Sequence, residues 1–175
     1  MAPIYNIETI LEGFSYLIEE GFRGKLIVVG EGPEEKKLKK RAKDLGISDH
    51  VNFMGMVPHD KVAEYLRASQ IYLSMSLSDG ASTSLLEAMA CGIYPIVSDI
   101  PANRKWIQDG DNSFLVPVRD AETLAQRIKE ARSNTELRRR GVVKNLKIVK
   151  ERGNFLKNMA VLEKLYKEVL RENRG

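Results

Sequence analysis

Ile7, Ile10, Leu11, Phe14, Leu17 and Ile18 recur at helical spacing, so the pattern predicts an amphipathic helix over residues 6–20, stopped near Gly21. The next apolar segment is continuous rather than periodic. Lys25-Leu-Ile-Val-Val29, ended by Gly30-Glu-Gly-Pro33, predicts a short buried strand and a turn. Residues 34–45 are charged on most faces with a Leu38, Ala42, Leu45 stripe, which predicts a surface helix. A second strand follows at Val51-Asn-Phe-Met54, closed by Gly55. A helix is expected over 60–69 and a third strand over 71–75.

The same alternation continues. A loop after Ser78 leads into a helix beginning near Ser82. Tyr94-Pro-Ile-Val97 reads as a strand, 102–108 as a short helix and Phe114-Leu-Val116 as a fifth strand. Residues 120–132 read as a helix with Asp120 at its N-cap. Strand and helix alternating in this way predict an α/β fold, a Rossmann-like parallel sheet flanked by helices. After residue 132 the strands cease. Two C-terminal helices are expected, at 135–151 and 154–172, the second striped by Phe155, Met159, Leu162, Tyr166 and Val169. The division is therefore 1–132 for the α/β domain and 133–175 for helices packing on it.

Composition narrows the classes. The chain has 175 residues, 43% hydrophobic and 30% charged, ordinary for a globular domain. No apolar run approaches the ~20 residues of a membrane span, and Met1-Ala2-Pro3 does not open a signal peptide. A single cysteine, Cys91, excludes an internal disulfide framework, and a cytoplasmic setting is expected. Cys91 itself, among apolar helix residues, reads as a small core residue. Charge is uneven: residues 1–100 sum to −4 and residues 101–175 to +8. A basic helix face of Arg138, Arg139, Arg140, Lys144, Lys147 and Lys150 accounts for much of this. No aromatics interleave with it for base stacking, so nucleic acid is not the expected partner. An anionic membrane surface is a further possibility for the same face.

Chemistry in open parallel sheets gathers at the carboxyl ends of the strands. Three loops fall there: Gly30-Glu-Gly-Pro33, Gly55-Met-Val-Pro58 and Ser78 to Ser84. Small residues let backbone N–H groups approach a ligand, and the third loop adds a helix N-terminus that favours an anion. A dinucleotide fingerprint is absent, since Glu35 stands where its third glycine belongs, so no cofactor is expected. Asp79 and Glu87, eight positions apart, suit a polyhydroxylated ligand, because carboxylates accept what hydroxyls donate. The alternative is that Asp79 caps its own loop and Glu87 is a solvated helix residue. Asp109-Gly-Asp111 reads as a turn rather than a metal motif. His50 and His59 have no partners at ligand spacing, so no metal is expected.

The segments Gly30-Glu-Gly-Pro33, Val51-Asn-Phe-Met-Gly-Met-Val57, Asp79 to Gly92 and Ile93-Tyr-Pro-Ile-Val-Ser-Asp99 occur in one order. Together with Asn112-Ser-Phe-Leu-Val-Pro117, they resemble the donor-binding half of GT-B-fold retaining glycosyltransferases. Leu86-Glu-Ala-Met-Ala-x-Gly92 is the most specific part. The resemblance implies a nucleotide-sugar as substrate, with Asp79 on the sugar hydroxyls and Glu87 on the ribose. Gly80, Ala81, Ser82 and Thr83 would offer backbone donors to sugar and diphosphate. Gly30 and Gly32 would line the cleft, and Met56 and Val57, after Gly55, would lie against the base. Two departures stand out. Asp79 replaces the usual Glu, drawing the carboxylate back by about 1.5 Å. The family's first strand and its basic Gly-Arg…Lys-Gly pair are missing, as is an acceptor-binding N-terminal half. An inactive fragment is expected. The competing classes are a non-catalytic nucleotide-binding module and a basic nucleic-acid-interacting domain.

Overall fold

The computed structural model describes residues 1–153 and Met159. The helix expected over 154–172 lies outside the described residues. A 3-10 turn, Pro3–Tyr5, leads into α1 (Ile7–Glu19). Then follow β1 (Leu26–Val29), α2 (Glu35–Asp44), β2 (Val51–Gly55), α3 (His59–Ala68) and β3 (Ile71–Ser74). The remainder is α4 (Thr83–Ala90), β4 (Tyr94–Ser98), α5 (Pro101–Arg104), β5 (Phe114–Val116), α6 (Ala121–Ser133) and α7 (Thr135–Arg152). The fold is α/β with parallel strands throughout, as the alternation requires.

The expected single sheet is two. β1 pairs with β2, and β3–β4–β5 form a separate three-stranded sheet; β1 and β3 do not pair with each other. β4, the central strand of the larger sheet, is buried along its whole length. Its side chains divide the core. Tyr94 and Ile96 face Leu11, Phe14 and Leu17 of α1 and Leu124 and Ile128 of α6. Val97 faces Leu85 and Met89 of α4, Ile107, and Ile148 and Val149 of α7. Helices thus cover both faces of this sheet, the arrangement that parallel strands need to keep their ladders dry.

Among the described residues the smaller sheet is covered on one face only. Val28 and Val51 pack with Leu38 and Ala42 of α2, whereas Ile27 and Val29 are each 36% exposed. The expectation of a buried first strand is therefore corrected: its alternate residues Ile27 and Val29 face solvent, because among the described residues α2 packs on the Val28 side alone. The helix expected over 102–108 is also shorter, ending at Arg104. Beyond it the Asn112 side chain takes over, accepting from Gln108 N at 2.8 Å and donating to the Trp106 carbonyl at 3.0 Å.

Helix starts follow local rules. Asp120 caps α6 by accepting from Thr123 N at 2.9 Å, and these bonds hold its carboxyl below the ordinary aspartate range. Asn134 caps α7 from Leu137 N in the same way. Arg138, expected on an open basic face, turns back instead and donates to the last carbonyls of α6, those of Ala131 and Arg132. Cys91 is half-buried at the C-cap of α4 rather than in the core, because the helix ends one residue before it.

Candidate functional site

Parallel strands deliver their loops to one rim, and three hydrogen bonds tie the expected loops together there. Gly30 N donates to Gly55 O at 2.8 Å, joining the loops after β1 and β2. Met1 O accepts from Glu34 N at 3.2 Å, and Ile4 O accepts from Leu77 N at 2.9 Å. Residues 1–4 thus span from the loop after β1 to the loop after β3. Gly30 and Gly55 have positive φ, and a side chain added at either would meet open space. Gly32 differs: a Cβ there would collide with the backbone of Met1, which packs against it. Met56 is 73% exposed directly after Gly55, and Val57 beside it is half-buried.

The loop after β3 supplies the acids. Asp79 is exposed, and its Oδ1 accepts from Ala81 N at 3.1 Å, so one oxygen shapes the Gly80-Ala81 turn while the other has no partner among the described residues. Gly80 is open on its Cβ side. Glu87, on the second turn of α4, is half-buried, and its carboxylate has neither an ion pair nor a hydrogen bond among the described residues. Its neighbours Leu85, Ala88 and Met89 are fully buried. A carboxylate rooted in that row without a partner is a group available to a ligand.

Tyr72 of β3 feels both acids. Its hydroxyl donates to Ser84 Oγ at 2.8 Å. Burial pushes its phenol above the ordinary range, and the negative charges of Glu87 and Asp79 push the same way. Asp79, Glu87 and the start of α4 therefore share one electrostatic neighbourhood around a tyrosine that motif reasoning passed over.

The start of α4 has an unusual cap. Ser82 occupies the N-cap with φ 46° and ψ 46°, the left-handed region, and its side chain makes no cap bond to the helix. Its Oγ donates to Asn103 Oδ1 at 2.6 Å. Asn103 Nδ2 donates to Ser98 O at 2.8 Å, and Ser98 Oγ donates to Ser76 O at 2.6 Å. Ser76, Ser82, Ser98 and Asn103 are all buried. The sequence did carry a signal for them: Ser98 is a polar ending to an otherwise apolar, wholly buried strand.

The turn at Asp109-Gly-Asp111 behaves as turn chemistry requires. Gly110 has positive φ, Asp109 Oδ1 accepts from Leu115 N at 2.9 Å, and Asp111 pairs with Lys144. His50 is separately engaged, its Nδ1 lying 3.2 Å from the Gly24 carbonyl. Two surface depressions lie away from the rim. One, of about 410 Å³, runs between the α5 end and α7, from Trp106 to Lys147. The other, about 480 Å³, lies between α2 and β2. Neither gathers the unpaired acid and open helix start that mark the rim, so the rim is the candidate site.

The fold has counterparts among known proteins. Residues 2–167 match the family described as Glycosyl transferases group 1. N-acetyl-alpha-D-glucosaminyl L-malate synthase of Bacillus anthracis is 30% identical over 172 residues, 98% of this chain and 44% of that protein. The chain thus spans less than half the length of this curated relative. Among solved structures, sucrose-phosphate synthase from Thermosynechococcus elongatus superposes with a TM-score of 0.89 at 21% identity, over 98% of this chain and 44% of that one. Anabaena Alr3699/HepE in complex with UDP gives 0.85 at 18%, over 95% and 46%. With a family match over nearly its whole length, laid on a fold and rim of this kind, the chain belongs to the glycosyl transferases group 1 family.

Proposed function

We propose that this chain is the donor-binding domain of a glycosyltransferase that moves a sugar from a nucleotide-sugar to an acceptor with retained anomeric configuration. The observation that carries it is the half-buried, unpaired Glu87 beside an uncapped helix start, with Asp79 across the same loop. Glu87 would accept from the ribose hydroxyls, and Asp79 from those of the sugar. The first-turn N–H groups of α4 and the Gly80-Ala81-Ser82-Thr83 backbone would hold the diphosphate. Met56 and Val57 would lie against the base, with Gly30 and Gly55 keeping the cleft floor low. The UDP of the Anabaena structure supports a nucleotide ligand on this fold.

The domain's contribution to catalysis would be to orient the sugar and stabilise the leaving diphosphate. The acceptor would enter from a partner half, in keeping with the share of the relatives that this chain spans. The lack of pairing between β1 and β3 supports the expectation of one further strand in the complete fold. Calorimetric titration with UDP, GDP, ADP and their sugar conjugates tests the reading. One base series binds, Glu87→Ala weakens that binding by roughly 10–100-fold, and the isolated chain transfers no sugar. Indifference to every nucleotide, with salt-dependent binding to RNA or DNA instead, refutes it.

A further inference from the structure

We propose that Asn103 is a positioning residue that keeps the first turn of α4 open to a diphosphate, by drawing away the hydroxyl that would otherwise cap it. The inference rests on the donor-domain reading above and assigns a role to a side chain outside the glycosyltransferase motif.

The first N–H groups of any helix lack intrahelical partners, and a serine at the N-cap ordinarily turns its oxygen onto one of them. Ser82 holds that position at α4 but does not do this. Its hydroxyl points the other way and donates to Asn103 Oδ1 at 2.6 Å. The direction of the Asn103 amide is dictated from its far end. Nδ2 faces the Ser98 carbonyl, which only accepts, so the donor nitrogen lies there and the oxygen faces Ser82. Ser98 is fixed in turn by its bond to Ser76 O. The chain of bonds runs from the carboxyl end of β3, through the end of β4 and α5, to the start of α4, and every member is buried. In a buried setting a fully satisfied network of this kind specifies one arrangement.

A second observation points the same way. Ser82 has φ 46°, in a region that residues other than glycine avoid, whereas N-cap residues ordinarily adopt extended angles. Such a conformation persists only where its surroundings over-determine it. The bond to Asn103 is the restraint that the structure shows. Without it, Ser82 can relax to ordinary N-cap angles and swing its hydroxyl onto the N–H of Ser84 or Leu85. The helix start would then be satisfied by its own side chain. A phosphate oxygen would have to displace that cap before binding.

The role predicts selectivity that simple structural support would not produce. Glu87 serves the ribose and is untouched by the cap, so nucleosides and nucleoside diphosphates should respond differently. The test titrates the full chain with UDP, GDP and ADP, and with uridine, guanosine and adenosine. Asn103→Ala weakens the best-bound diphosphate roughly tenfold and leaves its nucleoside within about twofold. Ser82→Gly carries no hydroxyl and accepts φ 46° freely, so in that background the Asn103→Ala loss shrinks to under about threefold. Equal losses for diphosphate and nucleoside, or the same loss in both backgrounds, overturn the proposal. Should Asn103→Ala not fold, Asn103→Thr carries the same comparison, because its shorter side chain cannot bridge Ser98 and Ser82 together. A wild-type chain that binds no nucleoside diphosphate refutes the donor-domain reading itself. Wild-type binding matched by Asn103→Ala refutes the role of Asn103 alone.

Discussion

Asn112 and Asn145 exchange two hydrogen bonds across 33 residues of sequence: Asn112 Nδ2 donates to Asn145 Oδ1 at 2.6 Å, and Asn145 Nδ2 donates to Asn112 O at 2.9 Å. Asn145 is wholly buried on α7, and Asn112 also holds Gln108 N and the Trp106 carbonyl. The pair therefore locks α7 to the loop that feeds β5. Asn145→Ala leaves two buried polar groups of Asn112 short of a partner, at about 1–3 kcal/mol for such a group. A loss of roughly 2–4 kcal/mol is expected, read as a fall in the urea midpoint with the m-value unchanged.

Gly141, one turn earlier on α7, marks a close approach of that helix to Tyr94 of β4. A Cβ there would lie 2.6 Å from Tyr94 Cε2 and 2.9 Å from the Asn112 carbonyl. Glycine in mid-helix ordinarily forfeits up to about 1 kcal/mol against alanine. Here the overlap with a backbone carbonyl and a buried ring outweighs that gain. Gly141→Ala is expected to destabilise by about 1–3 kcal/mol, measured by thermal unfolding. A rise in Tm would contradict the close approach.

Tyr94 is the structure's clearest unpaid polar group. Its ring packs edge-on to Phe114, with centroids 5.7 Å apart, and its hydroxyl is buried with no partner among the described residues. Burial drives its phenol well above the usual value near 10. Its neutral form is therefore the one the fold accepts. Stability from this group is intact below pH 10 and falls as pH rises past it, since the unfolded chain ionises first. Tyr94→Phe should raise stability at pH 7 by about 1 kcal/mol and flatten the alkaline loss. Guanidinium unfolding at pH 7, 9 and 11 checks both. An unchanged alkaline slope would place the loss at Tyr72 or elsewhere.

How far these features were visible in the sequence depends on the range of the interaction that fixes them. Helix and strand order was legible because hydrophobic period is local, and Asp120 announced its cap three residues ahead of Thr123. The exposure of Ile27 and Val29 was not, because an apolar run says nothing about whether a helix will cover both faces. Asp79 and Glu87 stood out as acids in small and apolar surroundings. Asn103 did not, since its meaning comes from Ser82, 21 residues away, and from a left-handed backbone that no side chain betrays. Tyr72 looked like one more strand aromatic until its hydroxyl was seen to reach Ser84.

The two acids should separate in their effects. Glu87 is half-buried on a helix anchored by Leu85 and Met89, so the backbone that carries it is fixed before any ligand arrives. Asp79 is exposed on a loop and spends one oxygen on Ala81 N. On the donor-domain reading, Glu87→Ala removes charge-assisted bonds to the ribose, each of about 1.5–3 kcal/mol, and weakens free nucleotide and nucleotide-sugar alike by roughly 10–100-fold. Asp79→Ala removes contacts that only the sugar makes, so the free diphosphate is nearly unaffected while the sugar conjugate weakens by roughly tenfold. The shape of the loop enters as well. Asp79→Asn keeps an oxygen for Ala81 N but halves the accepting power toward hydroxyls, and should fall between wild type and alanine for the sugar conjugate alone. Asp79→Glu restores the reach of the usual acid by about 1.5 Å at the expense of the Ala81 bond, and is expected to change which sugar is preferred. Paired calorimetric titrations of each variant with a nucleoside diphosphate and its sugar conjugate decide the matter. Equal losses for both ligands in Asp79→Ala would assign Asp79 to the loop's architecture and leave sugar recognition to the backbone of Gly80 to Thr83.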